Sequence, residues 1–316
     1  MTPRAIQHTL AENDTSIFKR LTMLKRIYFV GSGSSYSVAL YGALLINQFT
    51  EYFAYAMPPR EFIELGHENT AVVLISQGGT NVDIIDATKK AVELNCEMIA
   101  ITASEHSELV EIVGVKNILF LKLFSEEDCF VNSQGVGASF ALMLSILDYI
   151  NSTKLCDRYD YHHLFQQSRE QVLQHNYLDP NERHYYALGN GFAKPALHEC
   201  VLKMSEVVLS ECLADDIKNF THGKHLLPYL MRNTWSFLIY ANQENLPLAK
   251  SVATSLQSIF DEVHIFISYV PYPWSALSHL FHTFIISQYF CDIKGLSDPI
   301  NFRPPEALIS LYKTRP

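Results

Sequence analysis

Ile27-Tyr28-Phe29-Val30-Gly31-Ser32-Gly33-Ser34-Ser35-Tyr36 is the stretch that decides the fold. Its four apolar residues, rich in β-formers, predict a buried parallel strand. Small residues then turn the chain, and Val38, Leu40, Tyr41, Leu44, Leu45 and Phe49 recur at helical spacing. The unit is strand, Gly/Ser loop, helix. A helix start carries unpaired N–H groups and partial positive charge, so it holds anions, and three serines add neutral donors. A plain turn at Gly31 and Gly33 explains the same residues equally well. Two nucleotide readings fail. Tyr36 stands where a dinucleotide fold needs its third glycine, and Gly-Lys-Ser/Thr occurs nowhere in the chain.

The design recurs. Ala71–Ile75 predicts a second buried strand, followed by Ser76-Gln77-Gly78-Gly79-Thr80-Asn81 and a helix through Ile84, Ile85, Ala87, Thr88, Ala91 and Leu94. Met98–Thr102 and Ile118–Lys122 predict two more strands. Strands alternating with helices imply an α/β fold: a doubly wound, flavodoxin-like parallel sheet between helical layers, with ligands beyond the carboxyl ends of the strands. The second half repeats this in outline. Tyr185–Leu188 predicts a strand, Gly189-Asn190-Gly191 a turn, Pro195 the start of a helix, and Thr234–Tyr240 and Val263–Ile267 further strands. The expected domains are 1–150, a linking helix within 151–183, and 184–316. Ahead of the first strand, residues 3–25 predict one amphipathic helix striped by Ile6, Leu10, Ile17, Leu21 and Leu24.

Composition narrows the function. The 316 residues suffice for two domains, and a net charge of −9 with no Lys/Arg run argues against a nucleic-acid surface. An anionic ligand must then be held locally, by dipoles and hydroxyls. Six well-separated cysteines without C-x-x-C suggest neither a zinc site nor a disulfide framework, and fit a reducing cytoplasm. Residues 1–20 lack an apolar core, so no signal peptide is expected. The apolar stretch 264–291 is broken by Pro271, Pro273, His279 and His282 and reads as protein core, not a membrane span. His162, His163 and His175 lack metal-ligand spacing, so no metal or other cofactor is expected.

The pairing of Gly-Ser-Gly-Ser-Ser-Tyr with Ser-Gln-Gly-Gly-Thr-Asn resembles the sugar isomerase (SIS) domain family. It is similar to the double-SIS isomerase half of glucosamine-6-phosphate synthase and to fructosamine-6-phosphate deglycases. The resemblance implies two SIS domains and a sugar 6-phosphate ligand. It makes Ser35, Ser76, Gln77 and the Gly78 backbone phosphate contacts, with Ser34 and Asn81 beside them. The family's second loop reads Ser-Gln-Ser-Gly-x-Thr, so Gly78 and Asn81 replace hydroxyl donors, each worth about 1 kcal/mol. An amide at Asn81 is a substitute donor. Glu127 matches an acidic position in the segment that closes over the sugar, whereas Gln134 replaces a lysine. A solvated loop carboxylate at Glu127 is the other reading.

Glu199, Lys203 and Glu206 fall at i, i+4 and i+7, on one helical face. Spacing alone favours an exposed face of weak ion pairs. The resemblance favours chemistry: Ala196–Glu206 is similar to the family's A-L-E-G-A-L-K-L-K-E helix, and Phe220-Thr221-His222-Gly223 to its K-H-G-P element. It implies that Glu206 shuttles a proton between adjacent sugar carbons and that His222 opens the ring. A carboxylate screened from water suits that shuttle, because burial raises its pKa toward neutrality. Lys203 would stabilise a developing enediolate, and Glu199 would orient Lys203. In the family the histidine comes from the neighbouring subunit, which implies a homodimer. The tail Asp298–Phe302 resembles D-x-P-x-N-L, but Arg303 and Pro304 stand where an imine-forming lysine is expected, and Lys313 is the only nearby amine. Arginine cannot form that imine. With no N-terminal cysteine, no glutamine-hydrolysing domain is expected either. The expected activity is aldose–ketose isomerisation, deamination or deglycation of a ketose or amino-sugar 6-phosphate. A non-catalytic phosphosugar sensor is the alternative.

Overall fold

The computed structural model describes residues 2–124 and 133–296. They fall into two compact units, one of residues 2–124 and 133–161, the other of 162–296. The first unit opens with α1 (Thr2–Glu12), α2 (Lys19–Thr22), β1 (Arg26–Val30), α3 (Ser34–Phe49), β2 (Phe53–Met57) and α4 (Pro59–Leu65). It continues with β3 (Ala71–Ile75), α5 (Val82–Glu93), β4 (Glu97–Thr102), α6 (Glu108–Val113), β5 (Ile118–Phe120) and α7 (Ser133–Asn151). All five strands are parallel, in the order β2-β1-β3-β4-β5.

Helices on both faces explain why β3 is apolar throughout and β1 is apolar after its exposed first residue, Arg26. Tyr28, Val30, Val72 and Leu74 pack with Phe62 of α4, Ile84 and Ile85 of α5 and Leu109 of α6. On the opposite face Phe29 meets α3 at Gly42. A Cβ there would come within 2.8 Å of the Phe29 ring and 2.7 Å of Met143 on α7, so only glycine lets these layers close. Tyr41 of α3 stacks on Phe140 of α7 at 4.7 Å.

The expected single helix over residues 3–25 is broken. Its apolar stripe is present, but Asn13 ends α1 by bonding both the last turn of the helix and the backbone of Phe120. Nδ2 donates to the carbonyls of Thr9 (2.7 Å) and Phe120 (2.9 Å), and Oδ1 accepts from the Phe120 amide (2.9 Å). Asp14 then accepts from the backbone of Ser16 at 2.9 Å and caps a new turn. Side-chain bonds to the backbone win over helix continuation at such Asn/Asp positions.

The second unit holds almost all of α8 (Tyr161–Gln174), then β6 (His184–Gly189), α9 (Lys194–Glu206), β7 (Cys212–Asp215) and α10 (Ile217–Asn219). α11 (Leu226–Leu230), β8 (Trp235–Asn242), α12 (Leu246–Gln257), β9 (Glu262–Ser268) and α13 (Ser275–Ile293) follow. Its four parallel strands run β7-β6-β8-β9. One face packs Tyr185, Ala187 and Leu238 against α9 and α13, and the other packs Tyr186, Phe237 and Ile239 against Phe220 and α12. α8 is integral to this unit: Gln171 exchanges two 2.8 Å bonds with the backbone of Ile267 in β9. α13 is long and apolar because it is buried, and no described helix is long and apolar enough to cross a membrane.

Candidate functional site

β1 and β3 are neighbours in register, Val30 beside Leu74, so the loops that follow them leave the sheet side by side at its carboxyl edge. In the first loop Gly33 takes φ +55°, and the amides of Ser35 and Tyr36 close on the carbonyls of Ser32 (3.0 Å) and Gly33 (2.9 Å). Ser34 and Ser35 begin α3 and are half-exposed. Gly31 is buried, and a Cβ on it would lie 2.6 Å from the Ser35 carbonyl, so its glycine lets the turn fold back on the helix.

The second loop is more tightly built. Ser76 is buried, and its Oγ accepts from the Gly79 amide at 3.2 Å. The Gln77 carbonyl accepts from Thr102 Oγ1 and from the Ala103 amide, both at 2.9 Å, which anchors the loop to the end of β4. Gly78 is exposed, and a Cβ there would meet only Thr80 Oγ1, at 3.7 Å. Asn81 caps α5: its Oδ1 accepts from the amides of Asp83 (3.0 Å) and Ile84 (3.2 Å). That carbonyl end serves the helix, and Nδ2 is the donor end.

Sequence reasoning passed over two residues beside this loop. Ser107 Oγ is buried without a hydrogen-bond partner, and a Cβ on Gly79 would lie 2.3 Å from it. Arg60, from α4, bonds Asp83 in the first turn of α5 at 2.8 Å and lies 3.5 Å from Asp86. No motif marks either position. A polar Thr102-Ala-Ser-Glu-His-Ser107 segment after a predicted strand was the available signal for Ser107.

In the second unit α9 does not present three surface charges. Glu199 and Lys203 are buried, with Lys203 Nζ 3.3 Å from Glu199 Oε1 and 3.6 Å from Glu206 Oε2. Glu206, at the helix end, keeps 46% of its side chain exposed. The expected screening of this carboxylate from water is thus not supplied here, since Glu206 ends α9 and the chain turns away after it. His198, on the same helix, is held below its ordinary pKa by burial, against the pull of Glu199.

His222 is exposed in a break between α10 and α11. It takes φ −91° and ψ 32°, and Gly223 takes φ +125°. Lys224 pairs with Asp215 at the end of β7; burial pushes that carboxyl up, but bonds from Lys224, Asn219 and the Asp216 amide hold it below its usual value. Because α9 runs antiparallel to the strands, Glu206 precedes β7 at the entry edge of the sheet. His222 follows β7 at the exit edge. One copy of this unit therefore does not bring the two together. Glu127, Arg303 and the tail residues around them lie outside the described residues.

Among the described residues no three His, Cys, Asp or Glu side chains are grouped closely enough to hold a metal ion. His162 and His163 are exposed on α8. His175 packs edge-on against His264 at 4.8 Å, and burial, with His264 beside it, lowers its pKa.

Comparison with known proteins fits this geometry. A family model for the SIS domain matches residues 20–112, within the first unit. No curated protein sequence matches the chain. Among solved structures, the C-terminal domain of glucosamine-fructose-6-phosphate aminotransferase from Francisella tularensis is 18% identical. It covers 93% of this chain and 94% of its own, with a TM-score of 0.74. Glucosamine-6-phosphate deaminase from Thermotoga maritima is also 18% identical, with coverage of 94% and 95% and a TM-score of 0.74. Tagatose-6-phosphate ketose/aldose isomerase from Escherichia coli is 16% identical, covers 91% and 90%, and has a TM-score of 0.74. Residues 20–112 thus match the SIS family model, and over nine-tenths of the chain the fold is similar to that of these three proteins.

Proposed function

We propose that this chain is a phosphosugar isomerase of the broad type that includes deaminases and deglycases, working in the cytoplasm as a homodimer on a ketose or amino-sugar 6-phosphate. The observation that carries the reading is the pair of serine-bearing loops on adjacent strands β1 and β3, inside the SIS match. Ser34, Ser35, Ser76 and Gln77, the Gly78 backbone and the amide end of Asn81 would take the phosphate oxygens through neutral donors and two helix starts. This suits a chain whose net charge of −9 repels anions.

Glu206 would move the proton between C1 and C2, with Lys203 stabilising the enediolate oxygen and Glu199 holding Lys203. His222 would exchange a proton with the ring oxygen, and in the dimer it would come from the second copy. Glu127 and Arg303 are kept as supporting residues on the resemblance alone. A substrate that already carries its nitrogen at C2 needs no imine from an enzyme lysine, which favours deglycation over synthase-type chemistry. The half-exposed Glu206 and the lost donors at Gly78 and Asn81 favour a second reading, a phosphosugar sensor without turnover.

A thermal-shift screen with fructose 6-phosphate, glucosamine 6-phosphate and fructosamine 6-phosphates, followed by turnover assays, tests both. The enzyme reading expects binding and turnover by the wild type, and binding without turnover by Glu206→Gln. Binding with no wild-type turnover leaves the sensor. No binding by any sugar 6-phosphate ends both.

A further inference from the structure

Arg60 links the surroundings of the two serine-bearing loops. It is the second residue of α4, just beyond β2. β2 borders β1 in the sheet, and the first loop is tied to its end, the Gly31 amide donating to the Met57 carbonyl at 3.2 Å. From there Arg60 reaches the helix that begins at the second loop. Its Nε donates to Asp83 Oδ1 at 2.8 Å, and its Nη2 lies 3.5 Å from Asp86 Oδ2. Asp83 and Asp86 are three residues apart, on one face of the first turn and a half of α5, just after the cap Asn81. Arg60 Nη2 is shut off from solvent and has no hydrogen-bond partner among the described residues, with the Asp86 charge beside it.

We propose that Arg60 sets the charge of the phosphate site: by neutralising Asp83 and Asp86 it frees the start of α5 to hold an anion. The inference rests on the function proposed above, in which the second loop takes the phosphate. A helix start offers N–H groups and partial positive charge, but this one also carries two carboxylates. Left bare, they would repel a phosphoryl group and cancel what the helix end supplies. Their side chains are only 38% and 34% exposed, so water and salt screen them incompletely. Other acids at this edge are either paired or left in water. Glu108, in the first turn of α6, is bonded by Lys89 at 2.8 Å. Glu61 and Glu105 are exposed. Stability does not account for Arg60, because a part-exposed ion pair adds little and a desolvated nitrogen without a hydrogen bond is unfavourable. The charge it removes does account for it. With Gly78 and Asn81 in place of hydroxyl donors, the site depends the more on that balance.

Calorimetry with fructose 6-phosphate and with glucosamine 6-phosphate tests this. Arg60→Met should weaken binding about tenfold at about 0.1 M salt, and the gap should shrink to about threefold at about 1 M, where the Debye length is only ~3 Å. Arg60→Lys keeps the charge and should stay within about twofold of wild type. The decisive variant removes all the charges together: Arg60→Met/Asp83→Asn/Asp86→Asn should return to within about twofold of wild type. A mere tie between α4 and α5 would not be restored by removing its other half. If Arg60→Met fails to fold, Asp83→Asn/Asp86→Asn with Arg60 intact decides: it should bind about fivefold tighter than wild type, and no gain there overturns the inference. Wild-type affinity in Arg60→Met, or a triple variant as weak as Arg60→Met, also overturns it and leaves the function standing. A wild type that binds neither sugar phosphate ends the proposed function and this inference with it.

Discussion

Lys203 Nζ lies 3.3 Å from Glu199 Oε1, and both side chains are almost wholly shut off from solvent, at 4% and 0% exposure. A buried ion pair adds little net stability when intact, because both charges lose their hydration. Removing one partner is a different matter. Lys203→Met keeps the aliphatic bulk but deprives the buried Glu199 of the ammonium. We expect a loss of about 3 kcal/mol at pH 7 in urea titrations.

His279 and His282 are buried residues of α13 that pack into the core of the second unit. His279 packs edge-on to Tyr240 at 5.6 Å, and His282 stacks on Phe266 at 5.3 Å. Burial lowers His279 to about 3 and, with His279 and His175 nearby, takes His282 well below its ordinary value. The unfolded chain takes up these protons near pH 6.5 and the folded chain does not, so stability is complete above that pH and falls below it. Between pH 6.5 and 5 the loss should be roughly 2 kcal/mol per histidine. His282→Phe should flatten that decline by about half in pH-dependent thermal melts.

Gly78 does not need to be glycine for the fold. Its φ is not positive, and a Cβ there has room. Gly78→Ser restores the hydroxyl of the family's loop. One added neutral hydrogen bond of about 1 kcal/mol predicts roughly fivefold tighter binding of a sugar 6-phosphate by calorimetry, with melting unchanged.

Gly79, one residue on, is the opposite case. At φ +63° with Ser107 Oγ 2.3 Å from a would-be Cβ, Gly79→Ala meets backbone strain and a clash together. We expect a loss of about 2–3 kcal/mol. Adding Ser107→Gly should relieve the clash and leave about 1 kcal/mol of strain, a non-additivity that a double-mutant cycle measures.

Ser35→Ala separates binding from folding. Ser35 is half-exposed at the start of α3, so stability should change by less than about 0.5 kcal/mol. Affinity for a sugar 6-phosphate should fall about fivefold. Ser76→Ala also removes the acceptor of the Gly79 amide and should lower both stability and affinity.

The legible parts of the fold were those with an unbroken signal. β1 and β3 are apolar at every buried position, and the loops after them are built of Gly and Ser. β2 and β7 were not foreseen, and both are edge strands with broken burial, Phe53 and Tyr55 facing outward in one and three half-exposed residues in the other. An edge strand makes no continuous apolar run for a sequence reading to find. The same limit governs the candidate site. Glu199-x-x-x-Lys203 has the spacing of any surface ion pair, and nothing local shows that α9 turns that pair into the protein and leaves Glu206 in solvent. The unpartnered Ser107 hydroxyl depends on how two loops meet, which is a tertiary fact.

The amide of Asn13 grips both the N–H and the C=O of Phe120, and the neighbouring Thr9 hydroxyl accepts from the Lys122 amide at 2.9 Å. Phe120 lies in β5, the last strand of its sheet, whose outer rim would otherwise offer a ladder to any passing strand. The first helix thus acts as a clasp against aggregation, and a chain lacking it would be sticky in solution even with every residue of both loops intact.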